Sequence, residues 1–245
     1  MVPIFTSHYS IGKSILTLNE PRKSREFGPT SIFEIAEDNN IEHIFLVENT
    51  LTGFPQAVST AERLGVKLSF GLMLNVCEQG HKIIAFAKNS EGCKLLNRLY
   101  SSAFCNEGEC IGMKQLKKLW TNDLMLAIPF YDSFLFKNVM SFDNCAPDLT
   151  SFNPTFFLES NGLPFDNVVA ETVTSYAKSQ NAETELVKSI FYEKREDADA
   201  LQTYKCICSR KFGKSTLSKP NLDHFGSDEF CFESYLENER ITTKV

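Results

Sequence analysis

Four side chains able to hold a metal or move a proton fall just past segments of strand character: His8, Glu48, Asp132 and Glu159. Imidazole nitrogens and carboxylate oxygens are the donors from which zinc and manganese sites are assembled. If the strands close into a barrel, residues past their carboxyl ends share one mouth, where barrels keep their chemistry. Two readings follow. The four form a reduced metal site, or they line a vestigial pocket whose polar groups bond to one another and to water.

Other reactive strings fail on spacing. Gly12-Lys13-Ser14 and Gly213-Lys214-Ser215 look like phosphate loops, but the glycine required five residues earlier is Ser7 in one and Cys208 in the other. Both read as solvated turns. Cys105…Cys110 and Cys206-x-Cys208 lack the paired Cys-x-x-Cys of a zinc ribbon. The Lys114, Lys117 and Lys118 cluster reads as a solvated helix face. No Gly-x-Ser-x-Gly elbow supports a serine triad with His8, and Asp143, Asp148 and Asp166 are too scattered for a polymerase palm.

The elements that must position these groups belong to an ordinary globular chain. It has 245 residues, 42% hydrophobic and 23% charged, with 25 Lys+Arg against 31 Asp+Glu for a net charge of −6. That balance excludes a disordered or collagen-like chain, and the acidic total argues against coating nucleic acid or anionic membrane unaided. The 21 Phe are read as core. The first residues have neither the basic nor the apolar region of a signal peptide, and no apolar run is long enough to span a bilayer. Most of the eight Cys sit in apolar runs, where a reduced thiol packs as a small hydrophobe. A reduced, cytoplasmic protein with no membrane partner is expected.

Apolar runs at 3–5, 44–47, 67–76, 82–87, 124–128, 155–158 and 185–192 read as strands. Between them lie helical segments: one capped by Ser31, others at 55–64, 90–104, 113–120, 133–140 and 164–179, and a last one at 197–210. Strands alternating with helices imply parallel pairing through right-handed crossovers. No G-x-G-x-x-G follows the first strand, so a closed barrel is favoured over an open nucleotide-binding sheet. We expect one domain over 1–245, with the barrel at about 3–211 and an irregular extension at 212–245.

Several segments together resemble the PHP (polymerase and histidinol phosphatase) domain of bacterial replicative DNA polymerase III alpha subunits. Phe5-Thr-Ser-His8-Tyr9-Ser10 is similar to that family's first histidine motif, and Leu46-Val47-Glu48-Asn49-Thr-Leu-Thr-Gly53 to its Thr-Asp-His-x-x-x-Gly. Leu64-Gly65-Val-Lys-Leu-Ser-Phe-Gly71 resembles Gly-Ile-Lys-Pro-x-x-Gly, and Ile84-Ala-Phe-Ala-Lys88-Asn89-Ser-Glu-Gly92 resembles Leu-Leu-Ala-Lys-Asn-x-x-Gly. Tyr192, Glu196-Asp197 and Cys206-Ile207 follow in the family's order, so the likeness runs from about Phe5 to Tyr235. It implies an α/β fold, a distorted (β/α)7 barrel, and a metal cluster at the strand ends that activates water against phosphodiesters.

The departures fall on the ligands. The family's Asp-His pair stands as Glu48-Asn49, its Glu after the glycine as Met73, and its late Asp-x-His as Ser189-Ile-Phe191. Asn49 is a poor substitute for a ligand His. The expectation is therefore a catalytically degenerate, stand-alone PHP-like domain with no metal. It would act in DNA replication as an accessory or structural subunit of a separately encoded DNA polymerase, touching DNA only indirectly; a split gene of this kind would suit a virus or phage. The alternative is an exonuclease or phosphoesterase that uses Mn or Zn on His8, Glu48, Asp132 and Glu159. Phenylalanine-rich stretches around Phe130–Phe136 and Phe230–Phe232 are candidates for an interface, or for core.

Overall fold

The computed structural model describes residues 1–21, 28–77, 80–105, 109–142, 144–208 and 226–242. Seven strands close a barrel in chain order: β1 (Val2–Phe5), β2 (His43–Glu48), β3 (Lys67–Asn75), β4 (Lys82–Ala87), β5 (Leu124–Ile128), β6 (Thr155–Leu158) and β7 (Glu183–Ile190). β1 pairs in parallel with β7, Ile4 beside Ser189, and shuts the ring. The chain thus has the distorted seven-stranded α/β barrel expected from its alternation of elements.

Parallel pairing fails at one strand. β4 runs antiparallel to both β3 and β5. Residues 76–81 are too few for a crossover helix, and the Val76 N–H donates to the His81 carbonyl at 2.8 Å to return the chain on itself. Reversal has a consequence for the site. The first residue of β4, Lys82, lies at the barrel end where the other six strands finish.

Helices α1 (Ile32–Asp38), α2 (Phe54–Leu64), α3 (Ser90–Phe104), α4 (Met113–Leu119), α5 (Phe134–Ser141), α6 (Asp166–Ser179) and α7 (Ala198–Cys208) follow or separate the strands. Ser31 caps α1 by accepting from the Phe33 N–H at 3.2 Å. Asn89 caps α3 through the Gly92 N–H at 2.9 Å. Gly92 is needed for close approach: a Cβ there would lie 2.4 Å from the Asp123 carbonyl oxygen.

Two apolar layers hold the barrel. Ile4, Val47, Ile84, Phe86, Ala127, Phe157 and Val187 come from alternate positions on the strands and fill the interior. The opposite strand faces meet the helices through residues such as Phe33, Leu99, Phe134 and Val173. Phe130, Phe134, Phe136, Phe230 and Phe232 are all at most 8% exposed, so both phenylalanine-rich stretches are core and not interface.

The C-terminal extension departs from the irregular reading. The Phe191 N–H donates to the Phe230 carbonyl, the Phe232 N–H donates to the Tyr192 carbonyl, and helix α8 (Phe232–Thr242) then packs Phe232, Tyr235 and Leu236 on the core. Residues 209–225 and 243–245 lie outside the described residues, and with them the second Gly-Lys-Ser string; so does Asp143. The cysteines also differ from the all-reduced expectation. Cys77 and Cys110 form a disulfide, because the Val76–Ile111 bridge lays the two segments side by side. Among the described residues no helix is long and apolar enough to cross a membrane.

Candidate functional site

The barrel mouth holds a cavity of about 120 Å³. Three of the predicted site residues line it: Asn49, Asp132 and Glu159. His8 and Glu48 do not.

Side-chain parity explains Glu48. Strand residues alternate between faces; Phe45 and Val47 join the interior cluster, Asn49 continues that face into the cavity, and Glu48 points the other way. There it is fully buried beneath the segment after β1. One carboxylate oxygen accepts from the Ser7 N–H at 2.8 Å and the other from the Ser10 hydroxyl, while Ser10 Oγ accepts the Asn49 N–H at 2.9 Å. Burial pushes the Glu48 carboxyl up from 4.5 to about 7, against the pull of these hydrogen bonds. His8 leaves the strand direction altogether: its Nδ1 sits 3.3 Å from the Leu16 carbonyl oxygen and its ring lies 4.4 Å from Tyr9.

Glu159 shares the parity of Phe157 and does reach the mouth. Its Oε1 accepts from the Ser189 N–H at 2.7 Å and Asn161 Nδ2 at 3.0 Å, and its Oε2 accepts from the Ser189 hydroxyl at 3.0 Å. Burial raises its proton affinity above the usual carboxylate range in spite of those donors. Asn161 Nδ2 also donates to the Tyr131 hydroxyl, which donates to Asp166 at 2.9 Å. Asp166 in turn takes the Asn161 and Leu163 N–H groups at the start of α6. These groups form one connected network, in which the buried Asn161 Oδ1 has no hydrogen-bond partner among the described residues.

Asp132 follows the neighbouring strand β5 and also lines the mouth, in the left-handed region at φ 62°. It pairs with Lys82, whose own N–H donates to the Asp132 carbonyl at 2.9 Å. Burial raises the Asp132 carboxyl, yet the Lys82, Lys13 and Lys137 ammonium groups outweigh it and hold the group below its ordinary value. Lys13 lines the cavity too, so the first Gly-Lys-Ser string is more than a solvated turn; its Ser14 is fully buried and donates to the Phe191 carbonyl at 2.8 Å. Lys114, Lys117 and Lys118 are away from the mouth, with Lys117 paired to the exposed Asp148.

Sequence reasoning missed Lys13, Lys82, Tyr131 and Asn161. Lys82 had a signal, since a short link between two strands reverses the second and brings its first residue to the mouth. A Mn or Zn ion does not fit this donor set. The Glu48 carboxylate faces away, Asp132 is matched by lysine, Glu159 is engaged on both oxygens, and His8 lies elsewhere. Among the described residues no three His, Cys, Asp or Glu side chains converge on a common point.

No family model matches the chain, and no curated protein matches it. Among solved structures, PsfC from Pseudomonas syringae PB-5123 aligns at 12% identity and a TM-score of 0.38, over 63% of this chain and 64% of PsfC. A "putative metal-dependent phosphoesterase" from Bifidobacterium adolescentis aligns at 8% identity and a TM-score of 0.42, over 76% of this chain and 87% of its own.

Proposed function

We propose that this chain is a catalytically degenerate PHP-like barrel that serves DNA replication as an accessory or structural subunit of a separately encoded DNA polymerase. The observation that carries the reading is the condition of the two buried glutamates. Glu48 and Glu159 each spend both carboxylate oxygens on serine, backbone or amide donors, and burial favours their neutral forms. A phosphoesterase needs such oxygens ionised and turned toward a shared metal. Meanwhile the framework residues that carry the resemblance keep steric work. Gly53 leaves room for the Tyr9 ring, Gly71 for Phe86, Gly92 for the Asp123 carbonyl, and Asn89 caps α3. A barrel whose frame persists while its ligands are withdrawn suits a scaffold.

Native purification of the tagged chain from its own host tests the role directly. A DNA polymerase polypeptide in near-stoichiometric amount is expected; its absence overturns the proposal. Elemental analysis after dialysis against manganese and zinc tests the other half. Stoichiometric metal that disappears in Glu48→Gln, with manganese-stimulated hydrolysis of single-stranded DNA, would establish the exonuclease or phosphoesterase alternative instead.

A further inference from the structure

A scaffold requires no cavity, yet the barrel mouth keeps one of about 120 Å³. An apolar cavity of roughly 150 Å³ holds a benzene-sized molecule, so the space here suits one aromatic ring or a short carbon chain. Its floor is apolar, made by Ile4, Val47, Ile84 and Phe157 from the interior cluster, with Met73 beside them. One wall is aromatic: Phe191 and Phe230 stack with ring centroids 5.6 Å apart and planes at 29°.

The rim differs from the floor in charge. Lys13 and Lys82 both line it, with Asp132 paired to Lys82. Lys137 adds a third ammonium whose field reaches Asp132. The other acid, Glu159, is turned to Ser189 and Asn161, and its burial favours the uncharged form. The Asn49 carboxamide lines the same rim and has no hydrogen-bond partner among the described residues. A cationic rim with an amide donor above an apolar floor is the complement of an amphipathic anion.

We propose that the mouth binds, without metal, a small organic oxyanion: an aromatic or short aliphatic body on the floor, and a carboxylate or phosphoryl head held by Lys13, Lys82 and Asn49. The inference rests on the reading above that the mouth holds no metal cluster. It adds a ligand class that a purely structural subunit would not need.

Calorimetric titration of the full chain, freed of metal by chelator, tests it with four probes of similar size. Benzoate and phenyl phosphate carry the two oxyanion heads, benzyl alcohol is neutral and benzylamine is cationic. Saturable binding of at least one oxyanion is expected, about tenfold or more tighter than benzyl alcohol, since hydrogen bonds to charged groups are worth that much; the tighter of the two assigns the head. Lys13→Met should weaken that binding about tenfold, while Asp132→Asn should tighten it by removing the competing carboxylate. A general loosening of the fold would move both variants the same way. Equal affinity for benzyl alcohol, preference for benzylamine, or no anion binding at millimolar concentration overturns the inference alone. Oxyanion binding that appears only when manganese is restored overturns the metal-free reading beneath it as well.

Discussion

Replacing Glu48 with glutamine should remove a pH dependence of stability that spans pH 4.5 to about 7. The carboxyl is buried against the outer face of β2, where desolvation raises it from 4.5 to about 7. The unfolded chain releases this proton near the ordinary value, so between the two values the native state holds more protons than the unfolded one. The contribution is therefore whole below pH 4.5, declines as pH rises, and is lost above about 7. At 1.36 kcal/mol for each tenfold change in proton affinity, the loss amounts to about 3 kcal/mol. Glutamine carries no charge to desolvate, and its carbonyl oxygen can still accept from the Ser7 N–H. Its amide nitrogen would face Ser10 Oγ, which already accepts from Asn49, leaving the Ser10 hydroxyl proton to find a new acceptor at a cost of about 1 kcal/mol.

The two proteins should consequently cross in stability. Glu48→Gln is expected to be about as stable as the wild type at pH 5, where roughly 1 kcal/mol of the wild-type contribution is already lost, and more stable by about 2 kcal/mol at pH 8. Urea unfolding at the two pH values measures this, and the difference between proteins cancels groups such as Glu159 and Lys188 that titrate in both. Parallel stability curves for wild type and variant, or a larger loss at pH 8 than at pH 5, would refute the account of Glu48.

Two further outcomes follow from packing and cross-linking. Gly92→Ala must push the start of α3 away from the Asp123 carbonyl oxygen, 2.4 Å from the added methyl, and should lower unfolding stability by about 1–3 kcal/mol; an unchanged urea midpoint would contradict that contact. The Cys77–Cys110 link closes a loop with a sequence separation of 33, a constraint worth about 3–4 kcal/mol by loop entropy. Dithiothreitol should lower the unfolding midpoint of the wild type and leave Cys110→Ser unaffected, and thiol-blocked peptide mapping should recover the two segments joined. Separate peptides would refute the pairing.

Most of the barrel could be read from local pattern because its signals are local. The apolar run of β4 and the cap and apolar face of α3 fix the bounds 82–87 and 90–104 without reference to the rest of the chain. Direction is another matter, since Lys82-Ile-Ile-Ala-Phe-Ala87 pairs equally well either way round. Only the brevity of the 76–81 link carries the reversal. α8 was legible in principle, because Phe232, Tyr235 and Leu236 stand at helical spacing. Its polar surroundings and the preceding stretch from 212 made the whole tail read as irregular. The disulfide joins residues distant in sequence through the Val76–Ile111 bridge, and pairing of that kind has no signature in composition.

The site was harder to read because a strand end specifies a location and not a direction. Glu48 and Asn49 are neighbours at the end of β2, and a single step of alternation decides that the amide enters the mouth and the acid leaves it. Charge then closes the argument. Asp132 and Glu159 are the acids that do face inward, and each meets a partner supplied by the chain: Lys82 from the reversed strand for one, the Ser189 and Asn161 donors for the other. The buried Glu159 carboxylate must be neutralised, hydrogen-bonded or protonated, because desolvation alone costs too much, while the half-exposed Asp132 is matched by its lysine. Once side chains satisfy that requirement a cation has no remaining work there, and a metal would have to displace Lys82 and break the Glu159 bonds to bind. Lys13 and Lys82 place ammonium groups at the rim of an apolar cavity, which suits an anion in place of a metal.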